Sequence, residues 1–420
     1  LVCLTPRTPR LLAGALAALL LAACGPAPRP QAARPLDHAA YVWAPKWGPE
    51  TSLAVGADRL PAEIARLRVY VGATHFLGEP QAFPVEWAAL ARSGRALTLV
   101  VASGPAAANF RDAPDLSLPG NLLAEALAAA RAVEAKVDRV QFDLECPPAK
   151  LGGYARQIEA VRRRFPGLEV SVSVLPSWLD EPSLGELLAA ADRFTLHLSP
   201  GYVLGGTRAR TDFKAAERWV AQAASHGRPF RVGLPITSHY LCLDPNGGLL
   251  ASVPVGRPVP AGTVRTEPVV ADPAALPAFV RRMATHSPAQ LEGFDWLRLP
   301  VPGDAGTWSL GGMTAALRGE PVVRSLKVAM VPDEGYARVV VVNDGMVPMP
   351  SPTVRVSWKG GEVQACDGAG GWEMLLGGGE GFRLRPGDTA GLIPAGETLT
   401  AGWIRFASPP TEASAALAER

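Results

Sequence analysis

A (β/α)8 TIM-type barrel followed by a small all-β, sandwich-like region is the architecture this sequence predicts, and three observations carry it. Eight short apolar runs alternate with helix-like stretches between residues 40 and 318. Strands that alternate with helices are parallel strands joined by crossover helices. That span of about 280 residues suits a barrel of ~250 residues with insertions. From about residue 322 the helical spacing stops and only strand-like pieces remain. An open, doubly wound sheet is the competing arrangement. No glycine-rich fingerprint follows the first strand, which counts against its nucleotide-binding form.

The chain opens with a segment that is not part of the fold. Arg7 and Arg10 precede an apolar run from Leu11 to Ala23. This is the length of a signal-peptide core and too short for an easy membrane span. It ends in "LAAC", Leu21 to Cys24, which resembles the bacterial lipobox, where a signal peptidase cuts before the cysteine and the thiol takes a diacylglyceryl group. The expectation is a signal peptide over 1–23, lipidation at Cys24 and a Pro/Ala/Arg tether over 24–37. An ordinary signal peptide with a coincidental cysteine is the alternative. Gly25, rather than Asp, points by the same resemblance to the outer membrane. A soluble body would then be held on the periplasmic face of the bacterial outer membrane by its acyl chains.

The eight strands of the barrel, expected over 38–318, are read at 40–47, 67–73, 96–102, 138–145, 168–176, 193–199, 230–236 and 293–300. Helices are read at 59–66, 84–93, 120–136, 150–165, 183–191, 211–226 and 273–285, with a last one at 311–318. The stretch 241–272 is too long for a simple loop and holds two β-like pieces among Pro/Gly turns, so a hairpin insertion is expected after the seventh strand. The β region is read over 322–408, with Trp358, Trp372 and Trp403 as its core and sugar binding as their other use. Residues 409–420 read as a disordered tail.

Composition narrows the function classes. Hydrophobic residues make up 48% and charged residues 19%, with a net charge of +2; this is a core-forming chain, not a disordered one. The one basic run, "RRRF" at 162–165, falls late in an expected helix, where cations suit the negative end of the dipole. No nucleic-acid partner is expected. Of five cysteines, Cys146, Cys242 and Cys366 lie in the body, without a CxxC, and a Cys146–Cys242 disulfide is left open. The six histidines are scattered, so neither a metal nor a cofactor is expected.

The fourth strand carries the chemistry. In "VDRVQFDLECPP", residues 137–148, Val140, Phe142 and Leu144 alternate with Gln141, Asp143 and Glu145. One face is apolar and the other holds an amide and two carboxylates. Polar residues at the C-terminal ends of barrel strands read as site residues. Acids two residues apart lie ~6.8 Å apart at Cα, and their repulsion raises the pKa of one of them. A proton kept in this way suits general acid catalysis at a glycosidic oxygen. Two acids on one strand do not flank a bond from opposite sides. They suit the substrate-assisted exception, in which the sugar's own acetamide attacks. No GxSxG element supports serine hydrolysis.

"VDRVQFDLE" resembles the DxxDxDxE strand of family 18 chitinases. Asp138 falls at the first acid, Asp143 at the third and Glu145 at the catalytic glutamate, with Gln141 where the second Asp would stand. The resemblance implies Glu145 as proton donor and Asp143 as the residue that orients the acetamide. The departure at Gln141 removes a carboxylate from that scheme. The sequence is also similar to an uncharacterised bacterial family, domain of unknown function 3142. The similarity lies in Gln141-Phe142-Asp143-Leu144-Glu145-Cys146-Pro147, "VLPSWL" at 174–179, "VGLP" at 232–235 and "LRLP" at 297–300, and it spans roughly 38–318. That family implies a chitinase-like barrel and no settled reaction. Gln141, Trp43, Trp178, His197, His239, Tyr240 and Trp296 are further candidates for ligand binding at the mouth, since flat sugar faces stack on aromatics. Lys46, Ser177 and Asp295 stand beside them. Packing in the barrel is the other reading of each. Two functional expectations follow: a lipid-anchored glycoside hydrolase-like protein whose partner is an envelope or imported polysaccharide, or a non-catalytic carbohydrate-binding or scaffold protein on the same barrel.

Overall fold

The computed structural model describes residues 36–74, 81–103, 116–144, 146–198, 201–204, 207–377, 380–387 and 391–418. The signal peptide, Cys24 and nearly all of the tether lie outside the described residues, and so does Glu145.

Eight parallel strands close on themselves: β1 (Asp37–Val42), β2 (Ile64–Thr74), β3 (Ala96–Ser103), β4 (Val137–Asp143), β5 (Glu169–Val174), β6 (Arg193–His197), β7 (Phe230–Pro235) and β8 (Leu291–Leu297). Each pairs with its neighbour in sequence, and β1 pairs with both β2 and β8, which closes the barrel. The helices that return the chain are α1 (Pro49–Ala54), α2 (Trp87–Ser93), α3 (Ser117–Ala132), α4 (Leu151–Arg164), α5 (Leu184–Ala190), α6 (Phe213–Ser225), α7 (Ala275–His286) and α8 (Leu310–Leu317).

Alternation along the strands explains why the barrel forms. On β4, Val140 and Phe142 enter the main apolar core with Tyr154, Ile158 and Val161 of α4, while Gln141 bonds residues of β1, β2 and β5 across the interior. The same parity puts Val170, Val172 and Val174 of β5 in that core and leaves Ser171 and Ser173 inside. Leu151, Tyr154, Ala155, Ile158 and Val161 recur at helical spacing and form the buried face of α4. The Arg162–Arg164 run closes that helix, and Arg162 pairs with Asp192; its role is in the fold.

Three details differ from the sequence reading. The first helix forms at Pro49–Ala54 rather than 59–66. Pro49 suits a first helical turn, and residues 57–60 form a turn in which the Arg59 N–H donates to the Gly56 carbonyl at 3.0 Å. The insertion after β7 is a three-stranded sheet, because His239–Leu243 lies between Leu249–Pro254 and Arg265–Val269. The tail contains a strand: Glu412–Leu417 pairs antiparallel with Val354–Lys359. Its small, polar sequence carries little strand signal; backbone pairing along Val354–Lys359 supplies the order.

Beyond the barrel, one four-stranded antiparallel sheet holds Lys327–Asp333, Tyr336–Val342, Thr398–Ser408 and Glu362–Gly368. A second holds Trp372–Leu376, Gly381–Pro386, Val354–Lys359 and Glu412–Leu417. Val339, Val341, Ala401 and Ile404 of the first share one core with Val354, Val356, Phe382 and Leu384 of the second. Trp372 is buried in that core, its indole N–H donating to the Pro352 carbonyl at 2.8 Å, and Trp358 packs against it. Trp403 stands outside it, edge-on to Tyr336.

Candidate active site

The barrel interior is polar, and it has a floor and a mouth. On the floor, Asp295 of β8 is fully buried and takes two cations. Arg231 Nε of β7 lies 2.6 Å from Asp295 Oδ1, and Arg68 Nη2 of β2 lies 2.8 Å from Oδ2. The Thr195 hydroxyl donates to Oδ2 at 3.0 Å. Arg231 also bonds Asp37 and the Phe294 carbonyl. Burial alone would raise the Asp295 pKa, but the Arg231 and Arg68 guanidiniums hold it below the usual carboxylate range. This is a closed charge network, and Asp295 has no route to a ligand.

Gln141 joins floor to mouth. It has no exposed surface. Its Oε1 accepts from Arg68 Nη1 at 2.7 Å and lies 3.0 Å from the Tyr41 hydroxyl. Its Nε2 lies 2.8 Å from that hydroxyl and donates to Ser173 Oγ at 3.0 Å. Every polar atom of the amide is occupied, so Gln141 lies beneath the mouth rather than in it.

Asp143, at the C-terminal end of β4, is different. Its side chain is 23% exposed and makes no ion pair with Lys or Arg among the described residues. Tyr70 of β2 donates to Oδ2 at 2.6 Å. Burial, and then the Asp143 charge, push the Tyr70 phenol well above its ordinary value, so it stays a donor. The other oxygen, Oδ1, faces His197 Nδ1 at 4.0 Å. His197 Nε2 lies 3.0 Å from the Tyr41 hydroxyl. Gly233 of β7 leaves the space for this ring, since a Cβ there would meet His197 Cδ2 at 3.0 Å. Trp43, just past β1, is 40% exposed with its ring centroid 5.4 Å from that of Tyr70. Asp143, Tyr70, His197 and Trp43 thus form one patch at the strands' C-terminal ends.

The remaining candidates are placed elsewhere. Trp296 is fully buried among apolar residues of the outer barrel wall, and its indole N–H donates to His38 Nδ1 at 3.1 Å. Asp295 points inward, so its neighbour Trp296 must point outward; it is no sugar platform. Trp178 is buried in the same apolar core, which leaves no ring face for a ligand. Tyr240 lies in the inserted sheet, and its hydroxyl accepts from the Leu392 N–H at 3.2 Å, tying the insertion to the β region. His239 lies beside it, 3.3 Å from Ser252 Oγ. Burial, then the Arg298 charge, lower its pKa to about 4. Lys46 and Ser177 are exposed. Cys146 and Cys242 are free, buried thiols. Among the described residues no cluster of His, Cys, Asp and Glu could hold a metal ion.

Tyr41, Arg68, Tyr70 and Ser173 complete the interior and were absent from the sequence candidates. A signal existed: in "LRVYVG", 67–72, Arg68 and Tyr70 alternate with Leu67, Val69 and Val71 as Gln141 and Asp143 do with Val140 and Phe142.

A closed parallel barrel with a polar cluster at its C-terminal mouth defines the class, a TIM-type barrel protein. Within that class, residues 113–302 match the family model described as domain of unknown function DUF3142, the family that the strand motifs resemble. No curated protein matches the chain in sequence. Among solved structures it is similar to the Bacillus cereus spore cortex-lytic enzyme SleL, at 13% identity and TM-score 0.47 over 69% of this chain and 75% of that one. It is also similar to a chitinase from Bacteroides thetaiotaomicron, at 8% identity and TM-score 0.46 over 68% of this chain and 98% of that one. A third is chitinase ChiA74 from Bacillus thuringiensis, at 10% identity and TM-score 0.41 over 91% of this chain and 100% of that one.

Proposed function

We propose that this protein is a glycoside hydrolase-like protein, anchored through a lipidated Cys24 to the bacterial envelope at the periplasmic face of the outer membrane. It acts on an envelope or imported polysaccharide that contains N-acetylhexosamine. One observation carries the reading: the half-buried carboxylate of Asp143 is oriented by Tyr70 at the barrel mouth, and the same Tyr70 ring packs against the exposed Trp43. An exposed indole is a platform for the flat face of a sugar ring. A sugar stacked there puts its polar substituents near Asp143, which accepts a hydrogen bond from an acetamide N–H. Glu145, two residues on along the chain, is assigned the proton donation to the leaving oxygen on its sequence spacing alone.

A second reading has its own support. Gln141 stands where the chitinase pattern has an acid, and its amide is fully committed to neighbours. A carbohydrate-binding protein that has lost turnover would look the same at that position. Hydrolysis of aryl N-acetylglucosaminides and of chitooligosaccharides decides between the two. Turnover by the wild type and its loss by more than ~10²-fold in Glu145→Gln would support the enzyme. Equal inactivity of both proteins, with glycan binding retained, would leave the binding protein. Replacing Cys24 with Ala should release the chain from the membrane fraction if the anchor is as assigned.

A further inference from the structure

We propose that His197 is the proton partner of Asp143, filling from β6 the place that the chitinase pattern gives to a carboxylate and that Gln141 takes in this chain. The inference rests on the reading of Asp143 as a site residue. Asp143 has two oxygens with different surroundings. Oδ2 is held by the Tyr70 hydroxyl at 2.6 Å, and Oδ1 faces only the His197 Nδ1 at 4.0 Å among its described polar neighbours. Gln141, on the same inward face one step below, is an amide and can neither take nor give a proton near neutral pH.

The charged and titratable groups around His197 leave no other exchange partner among the described residues. Tyr41 bonds Nε2 from β1, and burial pushes its phenol far above the neutral range. Arg68, from β2, is committed to Asp295 and Gln141. Asp295, from β8, is held ionised by Arg231 and Arg68. Ser173 Oγ, from β5, lies 3.4 Å from Nε2, and β7 offers only Gly233. Burial lowers the His197 pKa while the Asp143 and Asp295 charges oppose it, so the ring is neutral when the mouth is empty.

The hydrogen-bond chain fits a ring with its proton on Nε2. Nε2–H donates to the Tyr41 oxygen, whose own proton goes to Gln141 Oε1. Nδ1 then presents a lone pair to a carboxylate oxygen. Two acceptors facing each other do not approach to hydrogen-bond distance, in keeping with the 4.0 Å between them. One proton taken up from solvent onto Nδ1 fills that gap and bonds both, giving a carboxylate–imidazolium pair that holds Asp143 ionised as an acceptor for a ligand. The proton is released to solvent when the ligand leaves, so the cycle is balanced. His197 acts through Asp143 and is a positioning residue.

The test is an NMR titration of the full chain carrying labelled histidine, with the His197 signal assigned from a His197→Gln variant. In Asp143→Asn the His197 midpoint should fall by about one pH unit or more, because an anion at this distance is lost. An unmoved midpoint overturns the proposal. This readout needs no substrate, so it stands or falls apart from the glycosidase reading. If the wild type turns over a glycan, His197→Gln should lower kcat at least ~10-fold with KM little changed and shift the acid limb of the pH profile. Adding Gln141→Glu to that variant should recover part of kcat by returning a second carboxylate. A rise in KM alone, with an unshifted profile, would mark His197 as a ligand contact instead and overturn the assignment.

Discussion

Asp295 and Asp143 are both inward-facing aspartates on barrel strands, and their surroundings are opposite. On the floor Asp295 has two guanidiniums and a hydroxyl and no exposure. At the mouth Asp143 has one phenol, an imidazole just out of hydrogen-bond range and open solvent. A buried carboxylate with both oxygens paired to cations is stable and inert. One held by a single neutral donor keeps an oxygen for something else. The difference separates what holds this barrel together from what it offers to a ligand, and Gln141, neutral and saturated, is the boundary between them.

That division is open to attack from the floor first. Replacing Arg231 with Met should destabilise the fold by ~3–5 kcal/mol, because it leaves buried Asp295 half-paired. Urea denaturation of the variant measures it, and a loss below ~1 kcal/mol would mean that the floor is not the charge-locked layer described here. Acid separates the regions next. Asp295 is depressed below the carboxylate range, so its contribution is present above the unfolded value and survives moderate acid. His38, on the outer wall, is different: burial, then the Arg231 charge, lower its pKa from 6.5 to about 4. Above pH 6.5 both states carry it neutral. Below that value the unfolded chain takes a proton that the folded chain, burying the ring near Arg231, refuses. Stability should therefore fall between pH 6.5 and 4, by up to ~3 kcal/mol from this group. His38→Asn keeps an acceptor and cannot titrate, so its urea midpoint should change less than the wild type's between pH 7 and 4.5.

Much of this was legible in the sequence because parity along a strand is a local property. Val140 and Phe142 against Gln141 and Asp143 can only be two faces, and the Pro147-Pro148 stop marks the strand end. The same rule read on "DWL" places Trp296 on the wall once Asp295 is inside, and read on "LRVYVG" it finds Arg68 and Tyr70. Those were missed because arginine and tyrosine in an apolar strand pass for edge residues until closure shows what they face. Which carboxylate meets which cation depends on strands far apart in sequence, as in Arg68 with Asp295, and no local pattern encodes that. The Glu412–Leu417 strand was hidden for the same reason, since its order comes from Val354–Lys359.

The smallest expected effect on the fold is at the mouth, and it tests the comparison most directly. Tyr70→Phe removes the one hydroxyl that orients Asp143 and leaves the ring to pack against Tyr41 and Trp43. Asp143 retains access to water, so no buried charge is stranded, and the cost to stability should be only ~1 kcal/mol. The carboxylate, however, loses its fixed direction. Glycan affinity, or kcat/KM where there is turnover, should fall ~10-fold, more than the stability change would suggest. If the mouth were merely a second structural layer, the order would reverse: Tyr70→Phe would cost several kcal/mol, as Arg231→Met does, and leave ligand binding untouched. Denaturation curves and glycan-binding isotherms on the same two variants distinguish these outcomes.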